Sequence, residues 1–237
     1  MAHMTPKTHP NGTPWRNFYG RIHGHTMRDH QFELLDQDLA GLSPGPVGWD
    51  VNPQRQLIDL KPRFGSRDIW IEIGFGAGEH MVHMAATYPD IGLIGAEPYV
   101  NGIAMLLGKI RAAGVTNLAV HPGDARDLFD VLAEGSVARA FLNYPDPWPK
   151  NRHHRRRFVT QDHLAGLVRV LRPGAEFRVA TDIPDYVRQT LAEVPKAGFT
   201  RAMADIHTPW PDWYPTRYEK KALREGRVPH YMTFHRL

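Results

Sequence analysis

The sequence predicts an α/β domain, a mostly parallel sheet with helices on both faces, preceded by an N-terminal extension. Three observations carry that expectation. From residue 67 onward, short apolar runs alternate with helix-like stretches, which calls for right-handed crossovers between parallel strands. A glycine-rich turn, Gly74-Phe-Gly76-Ala-Gly78, follows the first of those runs. Acidic residues then recur where successive runs end, at Glu72, Glu97 and Asp124. With 237 residues the chain is long enough to bury a substantial core.

The elements follow in order. Residues 1–31 read as a loose basic arm with Pro6, Pro10 and Pro14, and Met1 to His3, ahead of a second Met at position 4, are set aside. Residues 32–66 carry a short apolar stretch and then a Gly/Pro-rich connecting loop, Gly41-Leu-Ser-Pro-Gly-Pro-Val-Gly48. Strands are expected over 69–73, 91–96, 117–121, 137–144 and 175–181, with late strands over 200–205 and 231–235. Helices are expected over 79–88, over 100–113 with Gly114 as its stop, and over 157–170 halted by Arg172-Pro-Gly174. A last helix, 184–197, has proline at its first position, where the missing N–H costs nothing. The division is an arm and connecting loop over 1–54 and a single α/β domain over 55–237.

Composition narrows the function. Hydrophobic residues make up 42% and charged residues 23%, which excludes a disordered chain. No apolar run approaches the roughly 18 residues that span a bilayer. The N-terminus lacks an apolar core and a small-residue cleavage site, so the cytosol is the expected compartment. The absence of cysteine removes disulfides, thiolate metal sites and a Cys nucleophile. The 14 histidines are scattered without metal-ligand spacing, so no metal is expected. The net charge is +4, yet Lys150-Asn-Arg-His-His-Arg-Arg-Arg157 alone holds five Lys or Arg and no acid. Without that run the remainder is about −1, so the excess is one patch. Clustered cations suit phosphate contact, the plain alternative being a solvated helix start.

The glycine turn sits where an open parallel sheet binds ligands, at the carboxyl end of its first strand. Glycines let the backbone turn sharply and approach a ligand, and a helix N-terminus offers free N–H groups. A dinucleotide fingerprint would place its last glycine where Glu79 stands. The G-x-G-x-G spacing behind Glu72 instead resembles S-adenosylmethionine-dependent methyltransferases, whose cofactor carries an ammonium and a sulfonium and welcomes a carboxylate. Glu97, 19 residues after Gly78, can accept both ribose hydroxyls. Asp124, in Pro122-Gly-Asp-Ala125, can accept from an adenine amino group, or cap the stretch that starts at Arg126. Asn143-Tyr-Pro-Asp146-Pro-Trp148-Pro-Lys150 is a proline-fixed loop that would hold Asp146 and an aromatic face at the cofactor's methyl end.

Taken in order, Glu72-Ile-Gly-Phe-Gly-Ala-Gly78, Asn143-Tyr-Pro-Asp-Pro-Trp-Pro-Lys150, Arg152-His-His-Arg-Arg-Arg157, Thr181-Asp182 and Thr216-Arg-Tyr-Glu219 resemble the bacterial tRNA (guanine-N7)-methyltransferase family. The likeness covers roughly residues 55–237. It implies a Rossmann-like class I methyltransferase fold and methyl transfer from S-adenosylmethionine to N7 of the variable-loop guanosine at tRNA position 46. It also implies that Glu72, Gly74, Gly76, Gly78, Glu97, Asp124 and Asp146 contact the cofactor, with Asp146 catalytic as well. Lys150, Asp182, Thr216, Arg217, Tyr218 and Glu219 match its substrate-binding positions, and Arg152, His153, His154, Arg155, Arg156 and Arg157 its RNA-contacting stretch. Tyr144 stands where many members have Phe, and the arm at Arg16–His25 fits only approximately and receives no site residue. The expected partner is tRNA, with no membrane and no obligate protein partner, the chain being a monomer or weak homodimer.

Guanine N7 is an unprotonated lone pair, so transfer needs alignment more than a general base. Alkylation makes the purine cationic, and nearby carboxylates stabilise that charge in a water-poor pocket. Asp146 and Asp182 are candidates for this and for accepting from the guanine N1–H and amine, in a division left open. Trp148 or Tyr144 would replace stacking lost when the base leaves its helix. Methylation of an exocyclic amine, or RNA binding without catalysis, are the competing readings. The position of Asp146 between prolines opposes the first, and the full set of carboxylates opposes the second.

Overall fold

Side chains alternate faces along a strand, so the parity of each position decides what it packs against. The computed structural model describes residues 8, 9, 12, 13, 15–202 and 205–237. Pro6, Pro10 and Pro14 lie outside the described residues. Among those residues one seven-stranded sheet runs β3-β2-β1-β4-β5-β7-β6, built from β1 (Asp68–Ile73), β2 (Ile91–Ala96), β3 (Leu118–His121), β4 (Val137–Asn143), β5 (Leu171–Thr181), β6 (Phe199–Arg201) and β7 (His230–Arg236). The first five are parallel, while β7 is antiparallel to both β5 and β6. The chain moves outward from β1 through β2 to β3, then returns to place β4 on the other side of β1. That reversal opens a crevice at the strands' carboxyl ends.

The eight helices described are α1 (Asp29–Asp38), α2 (Lys61–Phe64), α3 (Glu79–Thr87), α4 (Val100–Ala113), α5 (Ala125–Val131), α6 (Gln161–Val170), α7 (Pro184–Glu193) and α8 (Arg217–Arg224). Ile69, Ile71 and Ile73 of β1 join one apolar cluster with Leu128 of α5, Leu164 of α6 and Val187 of α7. Trp70 of β1 joins the opposite cluster with Leu34 of α1, Met81 of α3 and Leu106 of α4. Both faces of the sheet are thus covered, as expected for parallel strands.

The structure corrects several boundaries. The apolar stretch beginning near residue 32 is part of α1, whose Leu34 packs beneath α4, a helix that the expected connecting loop did not include. The helix expected from Arg157 starts only at Gln161, because Asn151–Arg156 forms a tight 3-10 turn instead. Arg172-Pro-Gly174 does not separate helix from strand, since β5 begins at Leu171 and runs through it, with the three residues exposed. The helix from Pro184 ends at Glu193 and is followed by a 3-10 turn, Pro195–Ala197. The strand expected over 200–205 is Phe199–Arg201, and positions 203 and 204 lie outside the described residues.

Candidate active site

At the strands' carboxyl ends lies a cavity of about 810 Å³, lined by residues from several stretches of chain. The glycine turn contributes Gly74 and Gly76, the end of β2 Glu97, the start of α5 Asp124, and the proline loop Tyr144, Asp146 and Trp148. Gly76 has φ +57°, a left-handed conformation that costs glycine little, and its N–H donates to Glu97 Oε2 at 2.7 Å. The Tyr99 N–H donates to the other oxygen, Oε1, at 2.9 Å. Burial is the larger influence, and it pushes the Glu97 carboxyl up to about 7 despite these two donors.

Asp124 caps α5 by accepting from the Arg126 N–H at 2.9 Å, and its carboxylate also pairs with the Arg126 guanidinium. Burial raises its carboxyl, but the Arg126 contacts more than offset this and hold it below the ordinary range. The helix-capping reading of Asp124 is thus met, and the same side chain lines the cavity. Asp146 is shifted upward by burial, opposed by the charge of Arg21. Its loop is strained on both sides, with Tyr144 at φ +51° and Trp148 at φ +38°. Such non-glycine conformations cost on the order of 1–3 kcal/mol each and persist where the surroundings impose them.

Parity takes Glu72 elsewhere. It shares the Trp70 face of β1, is buried outside the cavity lining, and pairs through Oε2 with His80 Nδ1 at 2.8 Å. Asn143 Nδ2 donates to Glu72 Oε1 at 3.4 Å, so this buried group ties β1 and α3 to the root of the proline loop. Gly78 also lies off the lining, at the N-cap of α3 with φ +75°, where a Cβ would strike Leu106. Arg217 and Tyr218 line the cavity. Thr216 instead caps α8, accepting from the Glu219 N–H at 3.2 Å. Glu219 is buried and accepts from Trp213 Nε1 at 2.6 Å and from the Tyr231 hydroxyl. Asp182 is buried and ion-paired with Arg227, and Lys150 is exposed outside the lining.

The basic run divides sharply. Arg152 and Arg155 are exposed, and His153 and His154 are half-buried. Arg157 is 1% exposed, which corrects its expected place among RNA contacts. Its Nε donates to the Pro147 carbonyl at 2.9 Å, and its Nη2 pairs with Asp185 at 2.7 Å, so it holds the proline loop against α7. The arm, to which the sequence reading gave no site residue, supplies Asn17 to Arg21 to the cavity wall. Arg16 anchors it on Asp127 at 3.0 Å and Asp130 at 2.6 Å. The Val100 N–H donates to the Ile22 carbonyl at 2.9 Å. The Asn17–Arg21 stretch has no periodicity to mark it; the one available signal was its mix of aromatic and basic residues.

Comparisons with known proteins identify the family and the fold. A family model described as "Putative methyltransferase" matches residues 66–232. The tRNA (guanine-N(7)-)-methyltransferase of Jannaschia sp. (strain CCS1) is 71% identical over 229 residues, covering 95% of this chain and 96% of that protein. The protein of the same name from Ruegeria pomeroyi is 67% identical, covering 98% of both. A solved 16S rRNA methyltransferase, KamB, shares the fold at a TM-score of 0.56 and 18% identity, over 77% of this chain and 95% of that one. The chain belongs to the tRNA (guanine-N7)-methyltransferase family and is an S-adenosylmethionine-dependent methyltransferase.

Proposed function

We propose that this enzyme methylates N7 of the guanosine at position 46 in the tRNA variable loop. The observation that carries the reading is one cavity at the sheet's switch point that gathers Glu97, Asp124, Asp146 and Trp148, with Arg156 and Arg217 on its wall. Its chemistry fits the cofactor. Glu97 spends one lone pair of each oxygen on a backbone N–H and keeps others for ribose hydroxyls. Ala96, Pro98 and Leu142 offer apolar surface for adenine beside Asp124. S-adenosylmethionine, when bound, supplies an activated methyl group on a cationic sulfonium.

The chain's own residues then have defined tasks. Glu97 and Asp124 fix the adenosyl half, so that alignment supplies much of the acceleration. Asp146, on the cavity wall, has the task of stabilising the positive charge that grows on the purine. No side chain must take a proton from N7. Arg152 and Arg155, exposed in the same basic run as the cavity-lining Arg156, suit the phosphate backbone of tRNA. The test is transfer of labelled methyl into unmodified tRNA followed by borohydride reduction and aniline cleavage, which together break the chain at N7-methylated guanosine. Cleavage at position 46 alone is expected. Label that survives aniline treatment intact would reject N7 as the acceptor.

A further inference from the structure

The cavity contains a cation-accepting aromatic corner, of which the N7 reading uses only Trp148, as a stacking surface, and leaves Tyr19 and the resident cation without a task. Tyr19 of the arm and Trp148 of the proline loop meet edge to face, with ring centroids 6.4 Å apart and planes at 78°. The Arg156 guanidinium lies over both, 4.7 Å from the Tyr19 centroid and 4.9 Å from that of Trp148. Its Nε is buried and makes no hydrogen bond among the described residues. The rings rather than polar partners therefore hold that end of the side chain.

Both rings are fixed from behind. Asn17 O accepts from Arg126 Nη2 at 3.0 Å and Ile22 O from the Val100 N–H at 2.9 Å, so the arm is anchored on either side of Tyr19. Trp148 sits at φ +38° in a loop whose Pro147 carbonyl accepts from the buried Arg157. Asp146 lines the same cavity two residues away.

A guanidinium is a planar, delocalised cation. Guanine is a planar neutral ring that becomes a planar, delocalised cation once N7 is alkylated. We propose that Tyr19 and Trp148 form a binding corner for the N7-methylguanine cation, which Arg156 occupies while the site is empty. The corner favours the charged ring over the neutral one, and so favours the state in which charge has developed over the incoming base. Arg156 must withdraw for the base to enter. It belongs to the basic run, so approaching phosphates draw it the right way. The proposal rests on the N7 reading, which it deepens by naming how charge is recognised.

The experiment measures binding of N7-methylguanosine and of guanosine to the full chain saturated with S-adenosylhomocysteine, by tryptophan fluorescence and calorimetry. It is done at pH 6, where the methylated ring is cationic, and with nucleosides so that no phosphate contributes. Wild type should prefer the methylated nucleoside. Tyr19→Leu, which keeps apolar bulk but loses the ring, should reduce that preference by roughly 3- to 20-fold. Tyr19→Phe should retain it, and Arg156→Ala should tighten N7-methylguanosine by about 5-fold by removing the resident cation. S-adenosylhomocysteine affinity and melting temperature report whether each variant is folded. Equal binding of the two nucleosides, or of neither up to millimolar concentration, overturns the proposal, as does an undiminished preference in folded Tyr19→Leu or weaker binding in Arg156→Ala. Failure of the N7 reading is seen separately, as aniline-resistant label in tRNA.

Discussion

At Glu97 two requirements meet in one carboxylate. It must stay buried to hold the glycine turn through the Gly76 N–H, and it must be ionised to accept well from a ribose. Burial lifts its carboxyl from 4.5 to about 7. The raised value means that below about pH 7 the free protein favours the protonated form. That contribution to stability is present below about 4.5 and is lost as pH rises through about 7. Hydroxyl donors favour the ionised form, so cofactor binding should release a proton between pH 6 and 7, and affinity should rise across that interval. Calorimetry in two buffers of different ionisation enthalpy measures the released proton, which should vanish in Glu97→Gln. Glu97→Ala should weaken S-adenosylmethionine by about 1.5–3 kcal/mol, the usual scale for a charge-assisted hydrogen bond. Asp146 acts later in the reaction. Asp146→Asn keeps shape but loses the charge, so single-turnover transfer should fall about 10²–10³-fold with little change in tRNA affinity. Because N7 carries no proton, raising the pH from 6 to 9 should not restore the rate. Recovery at high pH would mean that a proton is removed.

At the scale of elements, the proline loop depends on what lies behind it. Its prolines remove backbone donors, and its carbonyls at Pro147 and Trp148 are met by one guanidinium, that of Arg157. The same side chain pairs with Asp185 and lies over the Tyr186 ring, which joins the loop to α7. Arg157→Ala should cost about 2–3 kcal/mol, the partial exposure of Asp185 limiting the loss. The expected outcome is a lower denaturation midpoint together with reduced turnover. Arg155→Ala, two residues away and exposed, should leave the midpoint unchanged and weaken tRNA binding. A pair of variants that behaved alike in both measurements would erase this distinction. The arm's place is similarly decided by partners distant in sequence, since Arg16 reaches Asp127 and Asp130 on α5.

Over the whole molecule, charge is arranged around one opening. Arg21, Arg156 and Arg217 line the cavity from three distant parts of the sequence, and Arg152 and Arg155 of the same basic run as Arg156 are exposed. Replacing Lys150, Arg152 and Arg155 by neutral residues should flatten the salt dependence of tRNA binding by roughly two to three units, at about 0.7–0.9 per phosphate contact. Cofactor affinity should not change. A full slope in the triple variant would make the run a solvated face. No described helix is long and apolar enough to cross a membrane.

The sequence by itself determined the alternation of strand and helix, the glycine turn and the strand-end carboxylates, because these are local patterns of period and position. Glu97, Asp124 and Asp146 were legible in that way, and the structure gathers them in one cavity. What only the tertiary structure decided is which side of a layer a residue meets. Glu72 was read as a cofactor contact from its motif, but strand parity turns it toward His80 and Asn143. Arg157 was read with its basic neighbours, yet the 3-10 turn over Asn151–Arg156 carries it inward to unmet loop carbonyls. The arm's part in the cavity was invisible for a third reason. Asn17 to Arg21 acquire their position from ion pairs and hydrogen bonds to α4 and α5, about a hundred residues away, and no local pattern encodes a partner at that distance.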